Sequence, residues 1–310
     1  MQNKSFLEKY VRIIVVLAVV AGSSSGIFVA AIKTPPMAIG FWRLTMSLPF
    51  FAIPVIFNGR DKLAAVSARD FLLSMTAGIF LFLHFFTWFN AVRMTNIASA
   101  VSLAAMHPLI VLVITVFVFK QSVNARQILG IVLALLGATM VAGLDRANLT
   151  SGNFKGDMLA FAAAMAMGIY FVLGNVVRRR VDGSTYVFLC FSACWIAFSV
   201  GMVFTDTSAI GYSTRDYLLL AALTLTCQIG AHAVFNLCMG YVDSLYVSAW
   251  ESGESIFAIA LSLIFLRQIP EYWEVIGAAI VVTGLLYYNR FSNPDVANQL
   301  KDRSNGGLLP

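Results

Sequence analysis

Along its whole length the chain alternates long apolar runs with short polar breaks. Ten runs qualify as membrane spans: 11–32, 37–57, 70–92, 97–119, 124–143, 156–177, 185–204, 216–239, 244–266 and 271–289. A helix rising 1.5 Å per residue needs about 20 mostly apolar residues to cross a hydrocarbon core of about 30 Å. Each run is therefore expected as a transmembrane helix, numbered here as spans 1 to 10. The breaks are too short to hold an inserted soluble domain, and the polar stretch 291–310 is expected as a cytoplasmic tail.

Composition agrees with an all-α membrane protein. Hydrophobic residues make up 59% of the chain and charged ones 12%. Soluble domains carry about 25% charged residues. The apolar run from Val11 to Ile32 is longer than the h-region of a cleavable signal, about 7–15 residues, so it is read as span 1. Placing the N-terminus in the cytoplasm puts fourteen Lys and Arg residues inside and six outside, with Arg43 within a span. The positive-inside rule then sets both termini on the cytoplasmic side of an inner membrane. The same asymmetry accounts for the net charge of +6 without a nucleic-acid partner. The run Arg178-Arg179-Arg180 is read as a topology anchor rather than a nucleic-acid or lipid patch. Cys190, Cys194, Cys227 and Cys238 all sit in apolar runs without metal-ligand spacing and are read as small fillers.

The chain also repeats itself. Leu17-Ala18 and Gly26-Ile27-Phe28 recur as Leu159-Ala160 and Gly168-Ile169-Tyr170. Lys120-Gln121, Gly130 and Gly137 recur as Arg267-Gln268, Gly277 and Gly284, and Trp88-Phe89-Asn90 resembles Val234-Phe235-Asn236. The repeat divides the chain into two five-helix units, 1–150 and 151–290. Five is odd, so the second unit enters the membrane from the opposite side. Inverted repeats of this kind mark secondary transporters, with a substrate site near the midplane where the units meet.

The costliest residues for a membrane lie in span 9. A carboxylate at the centre of a span costs about 2.5–3.5 kcal/mol on insertion scales. Glu251 and Glu254 are three apart and share a face. They are expected to hold a substrate amine or carry a proton, or to form a structural ion pair. Arg43 in span 2 is expected to partner at least one of them, or to clamp a substrate carboxylate through its fork. At 1.5 Å per residue, Glu254 lies roughly 15 Å from the inner end of span 9, level with His107 in span 4, while His84 in span 3 lies slightly outward. Trp88 shares the His84 face. Trp250 abuts Glu251, where it could stack on a flat or cationic group. Trp42 is the third aromatic candidate, and Trp42 and Trp88 also fit interfacial anchors. Ser24 lies in the glycine- and serine-rich stretch of span 1. His232 and Asn236 form a polar stripe with Gln228 on span 8, read as pathway lining or as helix–helix hydrogen bonding. No spacing supports a metal site.

The sequence resembles EamA-type carriers of the drug/metabolite transporter superfamily. The resemblance is carried by Phe41-Trp42-Arg43-Leu44, Asn90-Ala91-Val92, Ala98, Ala100, Pro108, Gly130 and Gly137, and covers about residues 10–290. The segments His84 to Ala91 and Trp250-Glu251-Ser252-Gly253-Glu254 are similar to the YddG-type branch of aromatic amino acid exporters. The resemblance implies a carrier with spans 1–4 and 6–9 around a cavity and spans 5 and 10 packed away from it. It departs from the family at Lys120-Gln121 and Arg267-Gln268, where many members carry glutamate. Ser255 also stands where the family proline would be, which predicts a straighter span 9 than span 4.

The function expected is alternating-access export of amino acids, aromatic and other neutral ones, by a carrier in the lipid bilayer that needs no cofactor and can work as a monomer. Another metabolite or a drug-like cation is the alternative substrate. There is no G-x-x-x-x-G-K-[ST] phosphate loop. An intramembrane enzyme fits less well, because no catalytic constellation appears and the repeat would be unexplained; a channel is the third possibility, which equal water access from both sides at once would favour.

Overall fold

The computed structural model describes residues 6–95, 100, 103–141, 154–261 and 272–291. Regular structure there is entirely helical. Helices α1 (Phe6–Gly22) and α2 (Ser25–Ala31) make span 1, and α3 (Pro36–Asn58) makes span 2. The short α4 (Arg60–Ala64) precedes α5 (Ala68–Met94), which is span 3. Span 4 holds α6 (His107–Val113) and a wider π-helical turn, Ile114–Val118. Spans 5, 6 and 7 are α7 (Ala125–Val141), α8 (Phe154–Arg178) and α9 (Gly183–Phe204). Span 8 runs through α10 (Thr214–Leu223), a π-helical segment Thr224–Ala233 and α11 (Val234–Cys238). Span 9 is α12 (Ser244–Glu251) and α13 (Glu254–Leu261), and span 10 is α14 (Tyr272–Phe291).

Among the described residues, six helices are long and apolar enough to cross a bilayer, those of spans 1, 2, 3, 6, 7 and 8. His107–Val118, Ala125–Met140 and Val275–Phe291 are shorter apolar helices. Parts of the expected spans 4, 5, 9 and 10, and the stretches 1–5 and 292–310, lie outside the described residues.

Small residues set the packing. Helix α8 is the most enclosed long helix, presenting Ala160, Ala163, Ala164 and Gly168 to its neighbours α5 and α6. Helix α9 lies against α3 and α5. Helices α7 and α14 pack extensively on each other, through glycines that let the backbones touch. A Cβ on Gly284 would sit 2.5 Å from Ala134 N and 2.8 Å from Gly130 O. The Arg126 guanidinium caps the pair, 4.8 Å from the Phe291 ring centre.

The contacts between spans come in partners that exchange when spans 1–5 are renamed 6–10. Span 3 meets span 6 as span 8 meets span 1, and span 3 meets span 7 as span 8 meets span 2. The helix ends show the same correspondence. Ser67 caps α5, its Oγ accepting from Asp70 N at 3.1 Å and donating to Asp70 Oδ2 at 2.9 Å. Ser213 caps α10 through Asp216 in the same way, at 3.1 and 3.0 Å. Each aspartate also reaches a loop of the other half. Arg180, after α8, forks onto Asp70 with Nη2 at 2.8 Å and Nε at 3.1 Å from Oδ1. Asp216 accepts a backbone N–H from the other half, that of Lys33, at 3.1 Å.

Beside the Arg180 fork, Lys62 lies 3.2 Å from Asp182. Burial would raise the Asp182 carboxyl, but the Lys62 ammonium, the Thr185 backbone N–H and the Arg178 guanidinium together outweigh it and hold the group below its ordinary range. Arg178 donates to the carbonyls of Asn236, Val181 and Leu237, and Arg179 to Asn175 Oδ1. The arginine run is therefore engaged in tertiary hydrogen bonding.

Candidate functional site

A cavity of about 60 Å³ lies among spans 1, 3, 4, 6, 8 and 9. It is bordered by irregular backbone. Span 1 breaks at Ser23–Ser24, span 4 turns at Ala105–Met106, span 8 widens into its π-helical segment, and span 9 breaks at Ser252–Gly253. Ser25, His107, His232 and Glu254 each sit at or just after one of these features and line the space. Irregular backbone is tolerated at membrane depth where protein or a cavity surrounds it. Ser23 satisfies part of the first break, donating from Oγ to Val19 O at 2.7 Å.

The sequence predicts a span 9 straighter than span 4, yet span 9 breaks at Ser252–Gly253 as span 4 turns at Ala105–Met106. A missing proline does not keep the segment straight when Gly253 is present to relax the backbone and Ser252 to supply a hydroxyl. Ser252 Oγ donates to Ser248 O at 3.2 Å and, across the interface, to Ala105 O at 3.1 Å. Ala105 and Ser252 are 147 residues apart, the offset that aligns Lys120-Gln121 with Arg267-Gln268. The same offset relates His107 to Glu254.

His84, Trp88, His107, His232, Glu251 and Glu254 are brought to this one cavity. His107 Nε2 stands 3.3 Å from Glu251 Oε2, both side chains almost wholly buried. His84 Nδ1 lies 3.0 Å from the Ala163 carbonyl, so that nitrogen carries the proton and a neutral ring leaves Nε2 as an acceptor. His232 packs edge-on to Phe85, ring centres 4.9 Å apart, and 6.2 Å from His84.

Arg43 departs from expectation. Among the described residues it forms no ion pair with either glutamate. Its Nε donates to Gln228 Oε1, and its guanidinium lies 4.2 Å from the Phe85 ring centre. A ring face and an amide oxygen together hold a fully buried guanidinium that a carboxylate does not reach. Arg43 still lies within electrostatic range of Glu254.

Four further candidates stand outside the lining. Trp42 donates from its indole to Ala209 O at 2.8 Å and meets Tyr217 edge-on, bracing the loop before α10. Trp250 packs toward Tyr246, ring centres 6.3 Å apart. Ser24 bonds to Ala21 O at 2.9 Å and to Thr226 Oγ1 at 3.3 Å, joining span 1 to span 8, while its neighbour Ser25 lines the cavity. Asn236 is buried and accepts from Tyr170 at 2.8 Å. Ser25, Phe85, Cys227, Phe235 and Ser252 also belong to the wall, outside the residues assigned to the site from the sequence. Ser25, in the serine run of span 1, and Ser252, between the two glutamates, carried usable signals. No group of three His, Cys, Asp or Glu among the described residues is arranged to hold a metal.

The model of the EamA-like transporter family matches residues 10–143 and again residues 154–290. The chain belongs to the EamA-like transporter family. This EamA-like chain is 20% identical over 272 residues to the uncharacterized transporter YxxF of Bacillus subtilis (strain 168), covering 87% of this chain and 86% of that protein. It is 22% identical over 269 residues to the uncharacterized transporter YyaM of the same organism, covering 81% and 83%. A solved crystal structure superposes with a TM-score of 0.77 over 92% of this chain and 99% of its own, at 16% identity, which shows a shared fold. The EamA-like family is one of membrane-embedded, multi-pass transporters in the drug/metabolite transporter superfamily, and this chain is accordingly a small-molecule transporter.

Proposed function

We propose that this EamA-like protein is a secondary transporter that exports aromatic and other neutral amino acids across the cytoplasmic membrane. On this reading ten spans form two inverted five-helix repeats, 1–150 and 151–290, with both termini cytoplasmic, resembling the YddG-type branch. The observation that carries it is the cavity itself, bordered by irregular helices from both halves and holding a buried carboxylate, Glu251, and a half-buried one, Glu254, beside aromatic walls. The exchange-paired helix contacts and the two matches of the family model support the repeat. Two similar halves in opposite orientation can trade conformations, which is what alternating access requires.

His84, Trp88, His107, Glu251 and Glu254 are assigned to the substrate, and His232 to the pathway. Arg43 balances charge behind the wall. Trp42, Trp250, Ser24 and Asn236 are assigned to the framework. A space of about 60 Å³ holds a few waters, each needing about 10–15 Å³, whereas ligand clefts measure about 300–1,000 Å³. The cavity must therefore widen to take a tryptophan, as expected of a carrier between its two open states.

The test is counterflow in proteoliposomes loaded with unlabelled tryptophan, phenylalanine or threonine and given labelled solute outside. Accumulation of label is the expected result. No counterflow with any amino acid sinks the substrate assignment.

A further inference from the structure

The groups that face the cavity are unbalanced in a way that defines what they can hold. Glu251 and Glu254 both line it, from the two sides of the break in span 9. Among the described residues Glu251 Oε2 makes no hydrogen bond, although the side chain is nine-tenths buried and His107 lies 3.3 Å away. His84 adds an acceptor, because its Nδ1 is committed to the Ala163 carbonyl. No lysine or arginine is among the described lining residues. Arg43, the buried cation in range, is turned onto Phe85 and Gln228. The remaining wall is mostly aromatic and apolar, with Phe85, Trp88 and Phe235 on spans 3 and 8, and neutral polar groups at Ser25, His107, Cys227, His232 and Ser252.

A zwitterionic amino acid bound here would find two carboxylates for its ammonium group and no facing cation for its carboxylate. Charge-assisted N–H···O bonds are about twice as strong as neutral ones, and a desolvated cation over an aromatic face gains further. The Ser25 hydroxyl, the Trp88 indole N–H and the His107 and His232 rings are the facing donors for an anion, and none is a fixed charge, while the Ser252 hydroxyl is committed to backbone carbonyls.

We propose that the site recognises its substrate by the ammonium group and an aromatic side chain, and does not read the α-carboxylate. The substrate class is then aromatic primary amines, with amino acids accepted through the same amine. This rests on the transport reading and narrows it.

The experiment is titration calorimetry of the reconstituted wild-type protein with three probes that share an indole: tryptophan, tryptamine and indole-3-acetate. Tryptamine is expected to bind at least as tightly as tryptophan, and indole-3-acetate at least tenfold more weakly. Glu254→Gln is expected to weaken tryptophan and tryptamine alike, and Arg43→Gln to change their affinity ratio less than threefold. Binding of indole-3-acetate without tryptamine overturns the proposal, as does binding of tryptophan alone, while both leave an amino-acid or organic-acid carrier standing. Absence of binding by all three overturns the amino-acid reading and this inference with it. The wild-type arms decide the matter even where a variant fails to fold.

Discussion

The Asp70–Arg180 fork is the strongest tie between the ends of the two halves on the face expected to be cytoplasmic. Its counterpart on the other face is a backbone N–H from Lys33 to Asp216. Replacing Asp70 by Asn keeps the Ser67 cap while removing the charge. Two unit charges 2.8 Å apart attract by about 1.5 kcal/mol at the dielectric of water and about 6 kcal/mol at an effective value near 20. Arg180 is 35% exposed, so solvent screening brings the usable part down to about 1 kcal/mol even with forked geometry. An energy of that size changes a two-state ratio about fivefold. On the alternating-access reading, Asp70→Asn raises the ratio of inward-open to inward-closed carrier by that factor. The assay is pulsed electron resonance between spin labels at Ala65 and Ser184, with a second pair at Lys33 and Ser208 reporting the opposite face. Exchanging the charges, Asp70→Arg with Arg180→Asp, should restore the closed distance. An unchanged distance distribution in Asp70→Asn, or no recovery in the exchanged pair, refutes the latch.

The packing sets three other outcomes. Gly284→Leu drives a side chain into the backbone of α7 beside Ala134 and Gly130, and should cost about 1–3 kcal/mol, seen as a lower melting temperature in detergent. Tyr170→Phe leaves the buried Asn236 Oδ1 without its donor and should cost about 1–3 kcal/mol in the same assay, with the Leu285→Val exchange near α13 as a milder control for volume loss. Arg178→Lys keeps the charge but loses the fork that spans the Asn236 and Leu237 carbonyls, so charge alone should not rescue Arg178→Gln in a stability measurement.

The sequence carried depth well and rotation poorly. Apolar run length and an axial rise of 1.5 Å per residue place a side chain along the membrane normal, which is why the runs alone put His84, His107 and Glu254 near one level. Rotation is harder, because one residue along an α-helix turns the side chain by about 100°, at 3.6 residues per turn. That single step separates Ser24, bonded to Thr226, from Ser25 at the cavity, and Trp250, against Tyr246, from Glu251. A break or a π-helical turn shifts the phase again, and spans 1, 4, 8 and 9 each carry one. The Arg43 partner differs for a related reason. Opposite charge predicted a glutamate, but Phe85 and Gln228 stand closer in rotation, and a guanidinium can be held by a ring face and an amide oxygen.

The glycines of α7 and α14 were legible because backbone contact leaves no chemical alternative to a missing side chain. Polar residues have alternatives, and the interface between the halves has used them. Ala105 and Ser252 touch there as equivalents, while the equivalent pair two positions on has diverged to His107 and Glu254. Two carboxylates facing each other would repel, and two imidazoles would offer no fixed negative charge. With one of each, and Glu251 beside His107, the cavity gains a polarity that neither repeat carries alone. The fold can therefore stay close to symmetric while the site does not, and repeat comparison finds the frame of such a site more readily than its chemistry.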